Sequence, residues 1–554
     1  MTSIALASVT KSGRGRDWTL YVIYPVAALF VLTFTAYPMV DLLTRAFIVD
    51  GRFSLATIGA IVADPFNRTI FWNTLLLGAT VAVLGTVLAT LYAYAIARVA
   101  IPGKSIWHFF ALLPTISPPI LMALGLILLY GRRGLITHEL FGIQSTGLYG
   151  FKGLVIAQLI SYFPFAYLLM LNLFRGLDAS LEEAAATMGA NGWRVLKTVS
   201  LPLLVPGLAG SALLMFSYSF ADLGNPLLLG GDFPVLSSQI YQMIIGMYDI
   251  PQGAALAVLL LIPAVLMFFA HKMLTARMSF ASVGAKGSSR HREVRHRGVQ
   301  IAALLLVGSI TFIICLQYGT ILAGATTQLF GIDYTFTSKH FVAALSKSGG
   351  TLLDTLTLGV IASFISVVLG LLIAWIVARS KASGRSILDF VANLPLAIPG
   401  TVIGLAFGLA FNGPPLMLTG TAVIIIAAFA VRSLPYGIRS GVAALNQVNR
   451  TLDEASTTMG ATSGQTLWRV LLPLVRPALL AGMVFSFTRS VTTLSAVIFV
   501  VSPHWSLVTP TILSQMDRGD VGEAAALSVI VVVMVLLIIH GVPRLLGRDW
   551  REAH

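Results

Sequence analysis

The sequence predicts an all-α polytopic membrane protein, with about 12 transmembrane helices arranged as two tandem halves of six. Three observations predict it. A dozen apolar runs are long enough to cross a bilayer, Lys and Arg are distributed unevenly between them, and one polar loop motif occurs twice, 271 residues apart.

The apolar runs come first because they set the environment. Hydrophobic residues make up 57% of the 554-residue chain and charged residues only 10%, far from the balance of a soluble domain. A helix of about 20 apolar residues spans the hydrocarbon core. Such runs fall near 19–42, 74–97, 107–130, 153–174, 203–222 and 253–272, and again near 299–322, 355–378, 387–411, 419–436, 475–500 and 525–543. Their boundaries are set to within about four residues. Internal Gly and Pro do not argue against helix, because membrane helices tolerate both. The basic stretch at Lys11, Arg14 and Arg16 precedes a run that is long for a signal sequence and lacks an obvious cleavage site, so it reads as a retained first span. The single cysteine, Cys315, lies within a span and excludes an intrachain disulfide.

The net charge of +14 invites a nucleic-acid partner, and its distribution rejects one. With the N-terminus inside, 26 of the 36 Lys and Arg are counted with cytoplasmic segments and nine with outer segments, while Arg489 falls within a span. That is the positive-inside bias, and it places both termini in the cytoplasm. The densest cluster, Lys286, Arg290, Arg292, Arg295 and Arg297, falls between the sixth and seventh spans. There it reads as a linker lying near anionic membrane lipid. The chain then divides into a tail at 1–18, a first half at 19–272, a basic linker at 273–298, a second half at 299–543 and a tail at 544–554.

The duplicated motif lies in a cytoplasmic loop of each half, at 180–202 and 451–473. Ser180 with Glu183, and Thr451 with Glu454, have the spacing of a capping box and predict the start of a short helix. Gly189 and Gly460 stand where such a helix would stop in a left-handed turn. Pro202 and Pro473 fall near the first turn of the next apolar run. Capping alone does not explain why the segment is present twice.

The repeat extends beyond the loops. Asn73-Thr74-Leu75 matches Asp354-Thr355-Leu356, Ala97-Arg98 matches Ala378-Arg379 and Leu113-Pro114 matches Leu394-Pro395, all at an offset of 281, against 271 for later pairs. The first half therefore carries about ten extra residues after its third span, where Gly131-Arg132-Arg133-Gly134 opens a longer outer loop. Both motif loops lie on one side of the membrane, which makes the repeat parallel.

On these residues the chain resembles the permease subunits of binding-protein-dependent ABC importers. Glu183-Ala184-Ala185-x3-Gly189-x9-Val199-x-Leu201-Pro202 is similar to that family's EAA loop, and Glu454-Ala455 through Gly460 to Pro473 repeats it with Ser456 for the second Ala. The resemblance implies two ABC type I permease halves in one bacterial inner-membrane chain. It further implies that Glu183, Ala184, Ala185, Gly189, Glu454, Ala455 and Gly460 dock two ABC ATPase subunits, and that a periplasmic solute-binding protein delivers the solute. The fused layout, with Phe220 to Pro226 in one half and Phe487 to Val497 in the other, most resembles ferric-iron permeases. Similar permeases serve 2-aminoethylphosphonate, polyamines, thiamine and sulfate.

This chain is expected to carry no cofactor and no catalytic residue, with ATP and magnesium held by the partner subunits. The fragment Gly103-Lys104-Ser105 has Arg98 where a P-loop needs its first glycine, and it lies in a short loop between spans. No metal-ligand cluster is legible in the spans. Four residues are candidates for the translocation path. Asp222 and Arg489 are ionisable groups placed in the membrane, where such groups face a cavity or a partner, and Asn225 and Thr493 lie beside them. Asp222 follows Pro202 by 20 residues and Arg489 follows Pro473 by 16, so a pair across the two halves is expected. The alternative from another class is a secondary transporter, which would need coupling carboxylates near the midplane and no duplicated docking loop.

Overall fold

The computed structural model describes residues 18–49, 51–143, 147–177, 179–282, 293–380 and 382–545. The basic N-terminal residues, Lys286, Arg290 and Arg292 of the linker, and the tail beyond 545 lie outside the described residues. Among those described, 11 helices are long and apolar enough to cross a membrane, and one bent pair completes a twelfth span.

Small side chains let the helices approach closely. In the second span, Pro65–Arg98, Gly78, Gly85, Ala89 and Ala93 are buried, while Leu76, Val83, Val87 and Leu91 are exposed where lipid would lie. Close approach through small residues is how membrane helices pack when lipid removes the hydrophobic drive between them. The eighth span, Lys339–Arg379, and the tenth, Ala422–Gln447, meet most closely: a Cβ on Gly437 would lie 2.5 Å from the Ser366 carbonyl oxygen.

Each half lends its first span to the other. Tyr37 of the first span donates to the Ala410 carbonyl of the second half at 3.2 Å, and Arg45 donates to Leu409 O at 3.4 Å. Reciprocally, Tyr318 of the seventh span, Arg297–Thr326, donates to Leu113 O at 3.2 Å and lies 2.6 Å from the Ser117 hydroxyl. Two short antiparallel hairpins follow these first spans, Ile48–Val49 with Arg52–Phe53 and Thr327–Leu329 with Asp333–Phe336.

Several predicted spans are corrected. The third and ninth are not continuous helices. The third is Lys104–Leu112, a 3-10 turn at Leu113–Ile116, and Ile120–Tyr130; the ninth is Arg385–Leu396 followed by Gly400–Ala410 at an angle of 109°. Pro118 and Pro119, and Pro399, stand at the breaks and supply no N–H to continue the helical ladder. The eleventh span ends at Thr492 rather than near 500. The non-helical chain that follows is buried against the ninth span, where Gly400 and Gly404 leave room for Ser495 and Ala496. Irregular backbone at membrane depth is tolerated where protein covers it. The eighth span also starts 16 residues before its predicted beginning at 355, because its N-terminal turns carry Lys339, His340 and Lys347 and escape a hydropathy reading.

Candidate functional site

Two features combine the chemistry-bearing residues: the paired motif loops on one face and a cavity between the halves. In each loop a short helix, Ala179–Thr187 or Thr451–Thr458, leads to a glycine with left-handed backbone, Gly189 at φ 85° and Gly460 at φ 82°. A second short helix follows and runs through a π-turn into the fifth or eleventh span.

The expected capping boxes do not form at Ser180 and Thr451. Ser180 is inside the first helix, and Thr451 is already helical, its N–H held by Asn449 Oδ1 at 3.1 Å. Capping occurs one helix later. Arg194 N donates to Asn191 Oδ1 at 2.9 Å, and the equivalent Thr462 forms a reciprocal box with Gln465. Glu183 and Glu454 are therefore not tied up in those boxes, and both are exposed. Ala184, Gly189, Ala455 and Gly460 are exposed as well, whereas Ala185 packs inward. In the second copy Ser456 packs inward instead, bonded to the Thr466 hydroxyl at 2.8 Å.

Each loop is braced from inside by an ion pair that the sequence reading does not anticipate. Arg98, closing the second span, pairs with Glu182 at 3.1 Å; Arg379, closing the eighth, pairs with Asp453 at 2.6 Å. Ser200 donates to Glu182 Oε1 at 2.8 Å, and Arg379 also donates to the carbonyls of Leu445 and Val448. The acid before each motif glutamate thus faces the membrane domain, and the motif glutamate faces outward. The signal was the match of Ala97-Arg98 with Ala378-Arg379 in the repeat. Beside the glutamates, Met188 and Met459 are 83% and 81% exposed, so both loops carry an apolar tip.

The cavity lies where the fourth, fifth, tenth and eleventh spans approach one another. One chamber of about 50 Å³ is lined by Tyr162, Asp222, Arg489 and Thr493; a second of about 150 Å³ lies on the motif side, by His271, Tyr436 and Arg439. Tyr218 and Arg432 line both chambers. Asn225 is fully buried behind the first and does not line it.

Asp222 and Arg489 share the chamber but form no ion pair within 4.0 Å, contrary to the expected cross-half pairing. Asp222 lies just past the end of the fifth span, and its Oδ2 accepts from Gln158 Nε2 at 2.9 Å and Asn225 Nδ2 at 2.7 Å within its own half. Arg489 sits against the rings of Phe165 and Tyr218, its Cζ 5.7 and 5.6 Å from their centroids. The physical reason is register: at the 271-residue offset Asp222 corresponds to Thr493 and Arg489 to Tyr218, so the two charges do not occupy equivalent levels. Arg432 is missed by sequence reasoning. It falls near the end of the predicted span 419–436 and is counted with the adjoining loop, whereas it is half-buried on the cavity wall, donating to Pro395 O and Ile398 O at 3.2 and 3.1 Å.

Gly103 has left-handed backbone and opens a helix after a loop, with Lys104 paired to Glu293 at 2.8 Å, and the element before that loop is the helix Pro65–Arg98. That is not the setting of a P-loop.

Helices crossing in tandem halves, with an exposed motif loop in each and a cavity between them, define a two-half membrane permease. The chain belongs to the family described as binding-protein-dependent transport system inner membrane component, whose model matches residues 101–280 and again 366–551. It is 34% identical over 521 residues to the ferric transport system permease protein FbpB of Actinobacillus pleuropneumoniae, covering 92% of this chain and 76% of that one. A putative ferric transport system permease protein FbpB 1 of Haemophilus influenzae is also 34% identical, over 86% of this chain and 77% of its own length. The sulfate transport system permease protein CysT of Escherichia coli is 30% identical over 47% of this chain and 98% of its own.

Proposed function

We propose that this chain is the transmembrane permease of an ATP-driven importer that passes ferric iron, delivered by a periplasmic binding protein, across the inner membrane. The observation that carries the reading is the pair of repeat-equivalent loops, each exposing a glutamate and a methionine on the same face and each anchored to the end of a long span. That face is cytoplasmic, both termini are cytoplasmic, and each loop seats one separate ATPase subunit, which holds ATP and magnesium. Iron is supported by the names of two relatives that align along most of the chain.

The test is uptake of radioactive ferric iron by proteoliposomes containing the chain, its ATPase subunits and the loaded binding protein. ATP-dependent uptake is expected, and the chain purified alone should bind no nucleotide above a lipid control. Glu183→Gln and Glu454→Gln should each weaken ATPase association while leaving membrane insertion normal. Unchanged association and transport in the double variant would rule out a docking role for both. The cavity arginines, Arg432, Arg439 and Arg489, favour a second reading, in which the solute is an anion such as 2-aminoethylphosphonate or sulfate, as in the names of other relatives.

A further inference from the structure

The cavity presents a charge balance that a bare cation would not meet favourably. Arg432 and Arg489 both line the smaller chamber, and the one carboxylate there, Asp222, is already engaged by Gln158 and Asn225. The Tyr162 hydroxyl reaches the same carboxylate, and Ser237 Oγ donates to the Asp222 carbonyl at 2.6 Å, so this acid is fixed in place. Neither arginine has an acidic partner among the described residues. Ionisable groups in a membrane protein are ordinarily paired or aimed into a functional cavity, and here pairing is excluded.

The two guanidinium groups are held differently. Arg432 spends one nitrogen, Nη1, on the carbonyls of Pro395 and Ile398 at the break of the ninth span, which fixes its position. Arg489 lies against the stacked rings of Phe165 and Tyr218, 4.6 Å apart, and none of its N–H groups has a protein acceptor among the described residues. Ring contact orients a guanidinium while leaving its N–H edge for hydrogen bonding, and that planar fork matches carboxylate and phosphate oxygens. The chamber of about 50 Å³ has room for a few water molecules or one small ion. Among the described residues no group of three or more His, Cys, Asp or Glu gathers to replace them as cation ligands.

We propose that the chamber between the halves is an oxyanion site, in which Arg489 and Arg432 receive a small tetrahedral or planar oxyanion such as phosphate or carbonate. This rests on the iron reading in one respect: it makes the iron cargo an oxyanion complex whose anion meets the arginines, rather than a bare trication that they would repel. Tyr218 and Arg432, shared by both chambers, then pass the anion toward Arg439 on the motif side. The ion enters and leaves intact, and no bond is made or broken in the protein.

The test uses the chain assembled with its ATPase subunits in nanodiscs of phosphatidylcholine alone, so that no anionic headgroup competes. Equilibrium dialysis measures binding of radioactive inorganic phosphate, followed by the same measurement with phosphatidylglycerol added. Saturable phosphate binding is expected, weakened at least tenfold by Arg489→Gln and by Arg432→Gln. It should be partly retained in Arg489→Lys, which keeps the charge without the fork, and unchanged in the surface variant Lys104→Gln. Because Arg489→Gln removes an unpaired charge, it should insert and assemble normally; if it does not, Arg489→Lys against wild type decides. Loss of phosphate binding only when phosphatidylglycerol is present would identify a lipid headgroup as the occupant and overturn the cargo assignment. Absent binding, or equal binding in all variants, would overturn the site. Ferric iron uptake by the same preparations separates the two ideas. Phosphate binding without iron uptake keeps the oxyanion site and removes the iron reading, whereas undiminished iron uptake by both Gln variants, with no phosphate bound, does the reverse.

Discussion

Replacing Glu182 by Ala should loosen the first motif loop more than replacing Asp453 by Ala loosens the second, although the two positions are equivalent in the repeat. The side chains of Arg98 and Arg379 are 8% and 6% exposed, so removal of either carboxylate strands a guanidinium away from water. What remains around each differs. Arg379 keeps the carbonyls of Val448 and Leu445, whereas Arg98 has Glu182 alone, its Nε and Nη2 lacking any acceptor among the described residues. Leaving a buried charge uncompensated costs about 3–5 kcal/mol, and losing one of several charge-assisted hydrogen bonds costs about 1.5–3 kcal/mol. The difference of about 2 kcal/mol is about a thirtyfold change in the undocked population of the loop.

Alanine is a better helix former than either acid, so helix propensity works against the expected loss and cannot produce it. The assay is hydrogen exchange of the two loop segments in nanodiscs, each compared with its own wild-type protection, alongside recovery of the ATPase subunits on purification. Protection should fall further in the first loop, and Arg98→Gln combined with Glu182→Ala should restore part of it by removing the stranded charge. Equal losses in the two loops, or a larger loss in the second, would refute the reasoning that residual acceptors set the cost.

If the loops dock as proposed, replacing their apolar tips, Met188→Ser and Met459→Ser, should lower ATPase association in pull-down experiments without changing insertion, because exposed apolar groups contribute only on binding. Gly437→Ala should destabilise the eighth and tenth spans by about 1–3 kcal/mol, read as a lower unfolding midpoint, since its Cβ would press on the Ser366 carbonyl; Gly308→Ala, with nothing within 4 Å, should be neutral. The linker should detach on acidification. The Lys104 ammonium, through its hydrogen bond and charge, holds the Glu293 carboxyl below the ordinary glutamate value, so the contact is fully present above that value and is lost as pH falls through the lowered one. Exchange of the Val294 amide, which donates to Arg98 O at 2.8 Å, should then accelerate relative to its intrinsic rate; no change on acidification, or the same acceleration in Lys104→Ala, would contradict this.

Much of the architecture was legible because hydropathy and repetition are properties of the chain alone. Twelve apolar runs, two loops and the change of offset from 281 to 271 needed no tertiary information. The breaks in the third and ninth spans did. Pro118, Pro119 and Pro399 were visible, but membrane helices tolerate proline when neighbours satisfy the freed backbone, and Pro164 and Pro435 do lie inside intact helices. Whether a proline kinks or ends a helix depends on what packs beside it. The bracing arginines, Arg98 and Arg379, served only as markers of the repeat, because their partners lie 84 and 74 residues away. The cross-half pair failed for a related reason: counting residues from Pro202 and Pro473 compared depths along two helices but ignored that the fifth helix stops at Phe220, leaving Asp222 to bond within its own half.

The repeat is kept in the loops and abandoned in the cavity, and that contrast follows from what each must meet. The loops preserve the acid that pairs inward, the glutamate that faces outward, the left-handed glycine and the exposed methionine in both copies. Two like subunits docking on one face would demand that duplication. Of the residues lining the cavity, Arg432 corresponds in the repeat to Ser161 of the other half, Arg489 to Tyr218, and Asp222 to Thr493, all at the 271-residue offset. A chamber near a pseudo-twofold axis built from identical halves would present every charge twice. Two arginines from one half and one engaged carboxylate from the other instead give it a positive and a neutralised wall. A single solute without twofold symmetry can then be held in one orientation as it passes, which two independent identical chains could not provide. Restoring the symmetry tests this step. Tyr218→Arg, at the repeat equivalent of Arg489 on the wall of both chambers, would add a third guanidinium beside the first two, and the added like charge should tighten phosphate binding while slowing release and therefore uptake. Faster uptake in that variant would mean that the asymmetry is not what lets the solute leave.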